Sequence, residues 1–98
     1  MLSLGRDMSR VRPPAVAGLF YPQDADELRR AVTGYIDACQ RTGPARRPKA
    51  LIVPHAGYPY SGAVAGSAYR LLRDSRAHIR HVVLLGPSHR VPLRGLAV

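Results

Sequence analysis

The sequence predicts an α/β fold organised around one β-α-β unit with parallel strands. Two apolar runs, "ALIV" at 50–53 and "HVVLL" at 81–85, lack the alternation of a half-exposed strand and read as strands buried on both faces. Between them lies a segment with apolar residues at helical spacing, and each run stops at a proline or Gly-Pro step followed by a histidine loop. Strand, helix, strand in that order implies a right-handed crossover between parallel neighbours.

The N-terminal arm, 1–23, contains "PPAVAGLFYPQ", an apolar stretch bracketed by prolines, in which Gly18 is free to take a backbone angle other residues avoid. It reads as an arm or tight loop. A helix over about 24–41 follows, with Asp24 as N-cap and Glu27 three residues on to complete a capping box. Leu28, Ala31, Val32, Tyr35, Ile36 and Cys39 fall on one face of it, which makes Cys39 a core residue. Gly43-Pro44 ends this helix, and a basic linker spans 42–49.

The β-α-β unit occupies 50–86. Pro54 closes the first strand's ladder, and Ser61 is the expected cap of a second helix running from Gly62 to about Arg73. Ala65, Ala68, Tyr69 and Leu72 give that helix a stripe of mostly small side chains, fit for close approach to a sheet. "RAHIR" turns the chain into the second strand. Residues 87–98 form a loop and, at "GLAV", the start of a further strand.

His55 and His89 lie 34 residues apart, about the length of one β-α-β unit, so both stand just past the C-terminal ends of parallel strands. Open parallel sheets bind ligands at that edge, and the strand ends there are about 5 Å apart if adjacent, or about 10 Å with one strand between them. His81 begins the second strand, roughly 17 Å from that edge, and His78 precedes it. Both are expected on the surface, outside any shared site. The ordinary alternative for His55 is a ring bonded to its own turn, and for His89 a solvent-facing loop residue. Gly57 and Gly62 have the spacing of a phosphate-binding loop, but Ala63 stands where the lysine is required. Ser88 lacks a recognisable base and orienting carboxylate, so a hydrolase triad is unsupported.

Composition narrows the class. At 98 residues and 46% hydrophobic, the chain affords one small core. A single cysteine excludes an internal disulfide, and no apolar run reaches membrane-helix length. The first residues lack a secretory apolar core, while Asp7 and Pro13-Pro14 argue against an organelle presequence, so a cytoplasmic protein is expected. The formal net charge of +9 suggests an anionic partner, but Arg41, Arg46, Arg47 and Lys49 cluster in a Pro/Gly-punctuated linker without interleaved aromatics. That pattern disfavours nucleic acid and fits a solvated basic loop.

Three motifs in order, "PAVAGLFYP" at 14–22, "PHAGYPYSG" at 54–62 and "LGPSHR" at 85–90, resemble the N-terminal third of the Memo-like family, known in bacteria and archaea as AmmeMemoRadiSam system protein B. The resemblance spans Arg12 to Val98. It implies an α/β fold similar to class III extradiol dioxygenases, which hold a non-haem iron with two histidines and a carboxylate at a sheet edge. It carries two metal-binding histidines onto His55 and His89, with iron or copper as the metal and redox or oxygenase-type chemistry as the proposed role. The family's remaining ligand is a cysteine much further along. Cys39 precedes both motifs and does not match it, so the site is incomplete here and the chain looks like an N-terminal fragment. Family association further implies a radical SAM protein and an AMMECR-type protein as partners.

Tyr58, Tyr60, Ser61 and Ser88 are the candidate pocket wall or second ligand shell, with packing of the turn as the plain reading of the two tyrosines. Ser61 and the helix start beyond it offer free amides to an anionic group. Whether the protein is an enzyme stays open at this point. The alternative is a non-catalytic binding or scaffold module using the same groove for a peptide or protein partner, its support being a mobile apolar arm, "AVAGLFYP". Apolar strands without neighbours also make self-association of the chain an expectation.

Overall fold

The computed structural model of the protein describes residues 10–39 and 46–97. The linker residues Arg41, Gly43 and Pro44 and the final Val98 lie outside them. Two helices and a 3-10 segment form the ordered centre: α1, Ala25–Ala38; α2, Tyr58–Tyr69; and the 3-10 segment, Arg70–His78, which continues α2. At nine residues it is longer than such segments usually run.

The arm folds back on itself. Gly18 adopts φ +82°, and its amide donates to the Tyr21 carbonyl at 2.7 Å, while Leu19 and Phe20 amides donate to Val16 at 3.0 and 2.9 Å. The Phe20 carbonyl then accepts from the Tyr58 amide at 2.8 Å, which anchors the arm to the start of α2. The mobile arm expected from the sequence is therefore engaged within the chain. Tyr58 stands between two further rings, 5.9 Å from Tyr21 and 5.9 Å, edge to face, from Tyr35.

α1 begins as its sequence requires, with Asp24 Oδ2 accepting from the Glu27 amide at 2.9 Å. Leu28, Ala31, Tyr35, Ile36 and Cys39 are half-buried along one face, and Val32 sits at its exposed margin. The helix ends at Ala38, short of the expected residue 41, with Cys39 extended as its C-cap. One last-turn carbonyl finds a partner outside the helix, Arg70 Nη1 donating to that of Ile36 at 3.1 Å, and Arg73 pairs with the Asp37 carboxylate.

α2 starts earlier than expected. Gly57 is its N-cap, and Tyr58 and Pro59 occupy the first turn, where a proline ring is pre-shaped for helix and its missing N–H costs nothing. Ser61 is therefore inside the helix rather than at its cap. The small-residue face of α2 meets α1. A Cβ on Gly62 would stand 2.6 Å from the Tyr35 ring, and one on Gly66 2.6 Å from the Tyr35 carbonyl oxygen.

Ser61, Gly62 and Gly66 are buried, and among the described residues no hydrophobic side chain is. The segments expected as strands, 50–53 and 81–85, run without a hydrogen-bonded ladder, and the isolated Ala17–Tyr21 bridge is the β pairing among the described residues. Leu51 and Val53 are half-buried, Val53 in a groove it shares with both helices, while Ile52 between them is fully exposed, the alternation of a strand with one face packed and one free.

Candidate functional site

Each histidine of the pair is delivered by a loop that follows an apolar segment. "LIVP" leads into His55, and the turn His55-Ala56-Gly57 feeds directly into α2. "VVLLGPS" leads into His89. The two rings meet across the 34-residue separation: Nε2 of His55 lies 3.0 Å from Nε2 of His89, with ring centroids 5.1 Å apart and planes inclined by 31°. Two nitrogens at that distance cannot both carry a proton toward each other. Either one Nε2–H donates to the other's lone pair, or both lone pairs point at a shared cation.

Both histidines are exposed, as are His78 and His81. His78 ends the 3-10 segment and His81 opens the second apolar run, away from the paired rings in sequence and without a recorded bond to either. Beside His55 lies an apolar groove of about 790 Å³, walled by Tyr35, Ile36, Val53, Tyr58 and Leu84; His89 does not line it. Tyr58 thus both packs the turn and faces the groove. Tyr60, one residue past the helical proline, points away from the packed centre at 86% exposure.

The two serines are engaged with main chain. Ser61 Oγ donates to the Ala56 carbonyl at 2.6 Å and lies 3.3 Å from that of Gly57. Ser88 Oγ donates to the Val91 carbonyl at 2.5 Å. The sequence reading missed the Phe20 carbonyl as the arm's hold on the turn and Gly57 as the helix cap. The signal for the second was present in the step Gly57-Tyr58-Pro59, since proline favours the first helical turn.

Zinc sites take four protein ligands when structural and three when catalytic, and among the described residues no group of three His, Cys, Asp or Glu side chains is arranged to hold an ion. The donor pair itself fits an ion: two imidazole nitrogens 3.0 Å apart match one edge of a coordination sphere with ligands about 2.0–2.1 Å from the centre. No helix of the described residues is long and apolar enough to cross a membrane.

The sequence model of Memo-like proteins matches residues 12–98. A MEMO1 family protein of Aquifex aeolicus is 45% identical over 82 residues, covering 82% of this chain and 28% of that protein. Protein MEMO1 of Danio rerio is 41% identical over 88 residues, covering 89% of this chain and 28% of its own. A MEMO1 family protein of Methanopyrus kandleri is 42% identical over 89 residues, covering 80% and 30%. The chain thus spans less than a third of the length of these relatives. No solved structure matches it. With the family's pattern extending over nearly all of its length and relatives from bacteria, archaea and animals aligned to it, the chain belongs to the Memo-like family.

Proposed function

We propose that this chain supplies two ligands, His55 and His89, to a non-haem iron or copper centre of redox or oxygenase type, whose remaining ligands are not among the described residues. The observation that supports it is the 3.0 Å approach of the two Nε2 atoms from loops 34 residues apart. Rings meeting edge to edge on two otherwise exposed loops have little packing reason to do so. In the same proposal 50–53 and 81–85 are parallel strands of an α/β sheet, paired with strands outside this chain, and the histidines stand at its C-terminal edge.

When bound, such an ion supplies Lewis-acid and one-electron chemistry. The chain's own residues would hold two positions, each through the lone-pair nitrogen of a neutral imidazole. Tyr35 and Tyr58 exclude water from the groove wall beside His55.

Titration of the 98-residue chain with copper(II) or zinc(II), followed through the histidine ring resonances, tests the proposal. Weak, chelator-reversible binding that His55→Ala and His89→Ala each abolish, and that His81→Ala leaves intact, is expected. Metal perturbing His81 while leaving His55 and His89 unmoved removes the basis for the site. The apolar groove favours the second reading, a metal-free binding module, and that reading gains if neither histidine responds.

A further inference from the structure

Both histidines of the pair sit beside a serine whose hydroxyl is spent on a backbone carbonyl of the same loop. Ser61 is 5% exposed, and its Oγ reaches back over the first turn of α2 to the Ala56 carbonyl, one residue past His55. Ser88 directly precedes His89, and its Oγ closes the turn 88–91 onto the Val91 carbonyl. Neither bond is a helix cap, since α2 is capped by Gly57 without side-chain help. We infer that Ser61 and Ser88 are positioning residues, each setting the loop that presents one histidine so that the two Nε2 atoms converge.

Local geometry carries the inference. A loop of the form His-Ala-Gly offers no bulky side chain to fix its peptide planes, so the direction of His55 depends on where the Ala56 carbonyl is tied. Ser61 is the side chain that ties it, from a helix held against α1 at Gly62 and Gly66, and the Phe20 carbonyl ties the next peptide through the Tyr58 amide. On the other side, Gly86-Pro87 leads into an exposed loop in which the Ser88 bond to the Val91 carbonyl closes the turn that carries His89. A hydroxyl-to-carbonyl bond contributes only about 1 kcal/mol to stability, but its loss lets a short loop turn its histidine away. Bonds made directly to a metal-ligating side chain change affinity about 10- to 100-fold when removed, and a tie to the neighbouring main chain is expected at the lower end of that range.

Ser67 provides the control. Its Oγ donates to the Val64 carbonyl at 2.7 Å on the same helix, with the same chemistry and no histidine beside it. The metal-free 98-residue chain gives the first readout, the cross-relaxation between the His55 and His89 rings in proton NMR. Ser61→Ala and Ser88→Ala should each lose that signal and weaken copper(II) binding about tenfold. Ser88→Thr, which keeps the hydroxyl, should retain both, and Ser67→Ala should change neither. Should Ser61→Ala fail to fold, Ser88→Ala on its exposed loop carries the test alone.

Ring contact and copper affinity preserved in the alanine variants, with only the melting temperature lowered, overturns the inference and makes the serines merely structural. The inference rests on the metal reading only for its copper arm. Wild-type chain that shows the ring contact but binds no copper sinks the metal reading, and the serine variants still decide the positioning through the NMR signal. Absence of the ring contact in wild type overturns the positioning directly.

Discussion

Three glycines on two helices face three different neighbourhoods, and their alanine variants should separate accordingly. Gly34 has nothing within 4 Å of an added Cβ and lies on the exposed face of α1. Gly34→Ala should raise stability by about 0.5–1 kcal/mol, the helix preference for alanine over glycine. At Gly62 the added methyl meets the Tyr35 ring, which can swing, whereas at Gly66 it meets the Tyr35 main chain, which cannot move without shifting α1. Gly66→Ala should therefore cost about 1–3 kcal/mol and Gly62→Ala less. Apparent urea midpoints followed by helical circular dichroism should rank Gly34→Ala above wild type, then Gly62→Ala, then Gly66→Ala. A Gly66→Ala midpoint equal to wild type would mean the helices do not approach this closely. At this scale the sequence singled out His55 and His89 from their matching loop contexts and 34-residue spacing, and the two rings do approach to 3.0 Å. It could not announce that Tyr35 is the residue lying over both glycines, by its ring at Gly62 and its main chain at Gly66, since a helix's small face names no partner.

Among the elements, α1 was readable nearly end to end because everything that defines it is local: the Asp24 cap, the stripe from Leu28 to Cys39, and four-residue hydrogen bonds. Its C-terminus was less so, because the groups that satisfy it come from Arg70 and Arg73 of the following helical segment, 34 and 36 residues on. Asp37 in the last turn opposes the helix dipole, and the Arg73 guanidinium offsets it. The two arginines should nonetheless behave differently. The Arg70 bond to the Ile36 carbonyl is partly buried, and Arg70→Ala should cost about 1 kcal/mol, with faster amide exchange in the last turn of α1 at any salt concentration. The Arg73–Asp37 pair is about half exposed, so Arg73→Ala should have a smaller effect that vanishes in high salt. Matching exchange profiles for the two variants would show that the Arg70 bond does not hold the helix end. Strands differ from helices in this respect. The apolar runs 50–53 and 81–85 are visible as patterns, but a ladder needs a second strand, and no local feature of either run says where that strand is.

For the molecule as a whole, surface decides the behaviour expected in solution. A compact chain of 10.7 kDa exposes about 5,500 Å², whereas this one exposes 9376 Å². Its radius of gyration, 16.0 Å, exceeds the roughly 13 Å of a packed domain of this length. The excess is apolar where it matters: Val82, Val83, Leu84 and Leu85 are each more than three-quarters exposed, and they form one continuous run with unpaired backbone groups. Such an edge pairs with any other that reaches it, and the positive charge spread over the chain slows that encounter at low salt without removing its cause. The 98-residue chain should therefore self-associate with a dependence on both concentration and salt, bind a hydrophobic dye, and unfold over a broad temperature range. Replacing Val83 and Leu85 by lysine should suppress association while leaving the α1–α2 helical signal unchanged, because neither side chain contributes to that contact. Sedimentation across a tenfold concentration range, paired with circular dichroism of the double variant, checks both halves. A monomeric wild-type chain with a sharp, concentration-independent transition would show that these 98 residues complete their own core, and the proposal that 50–53 and 81–85 await outside strands would fall with it.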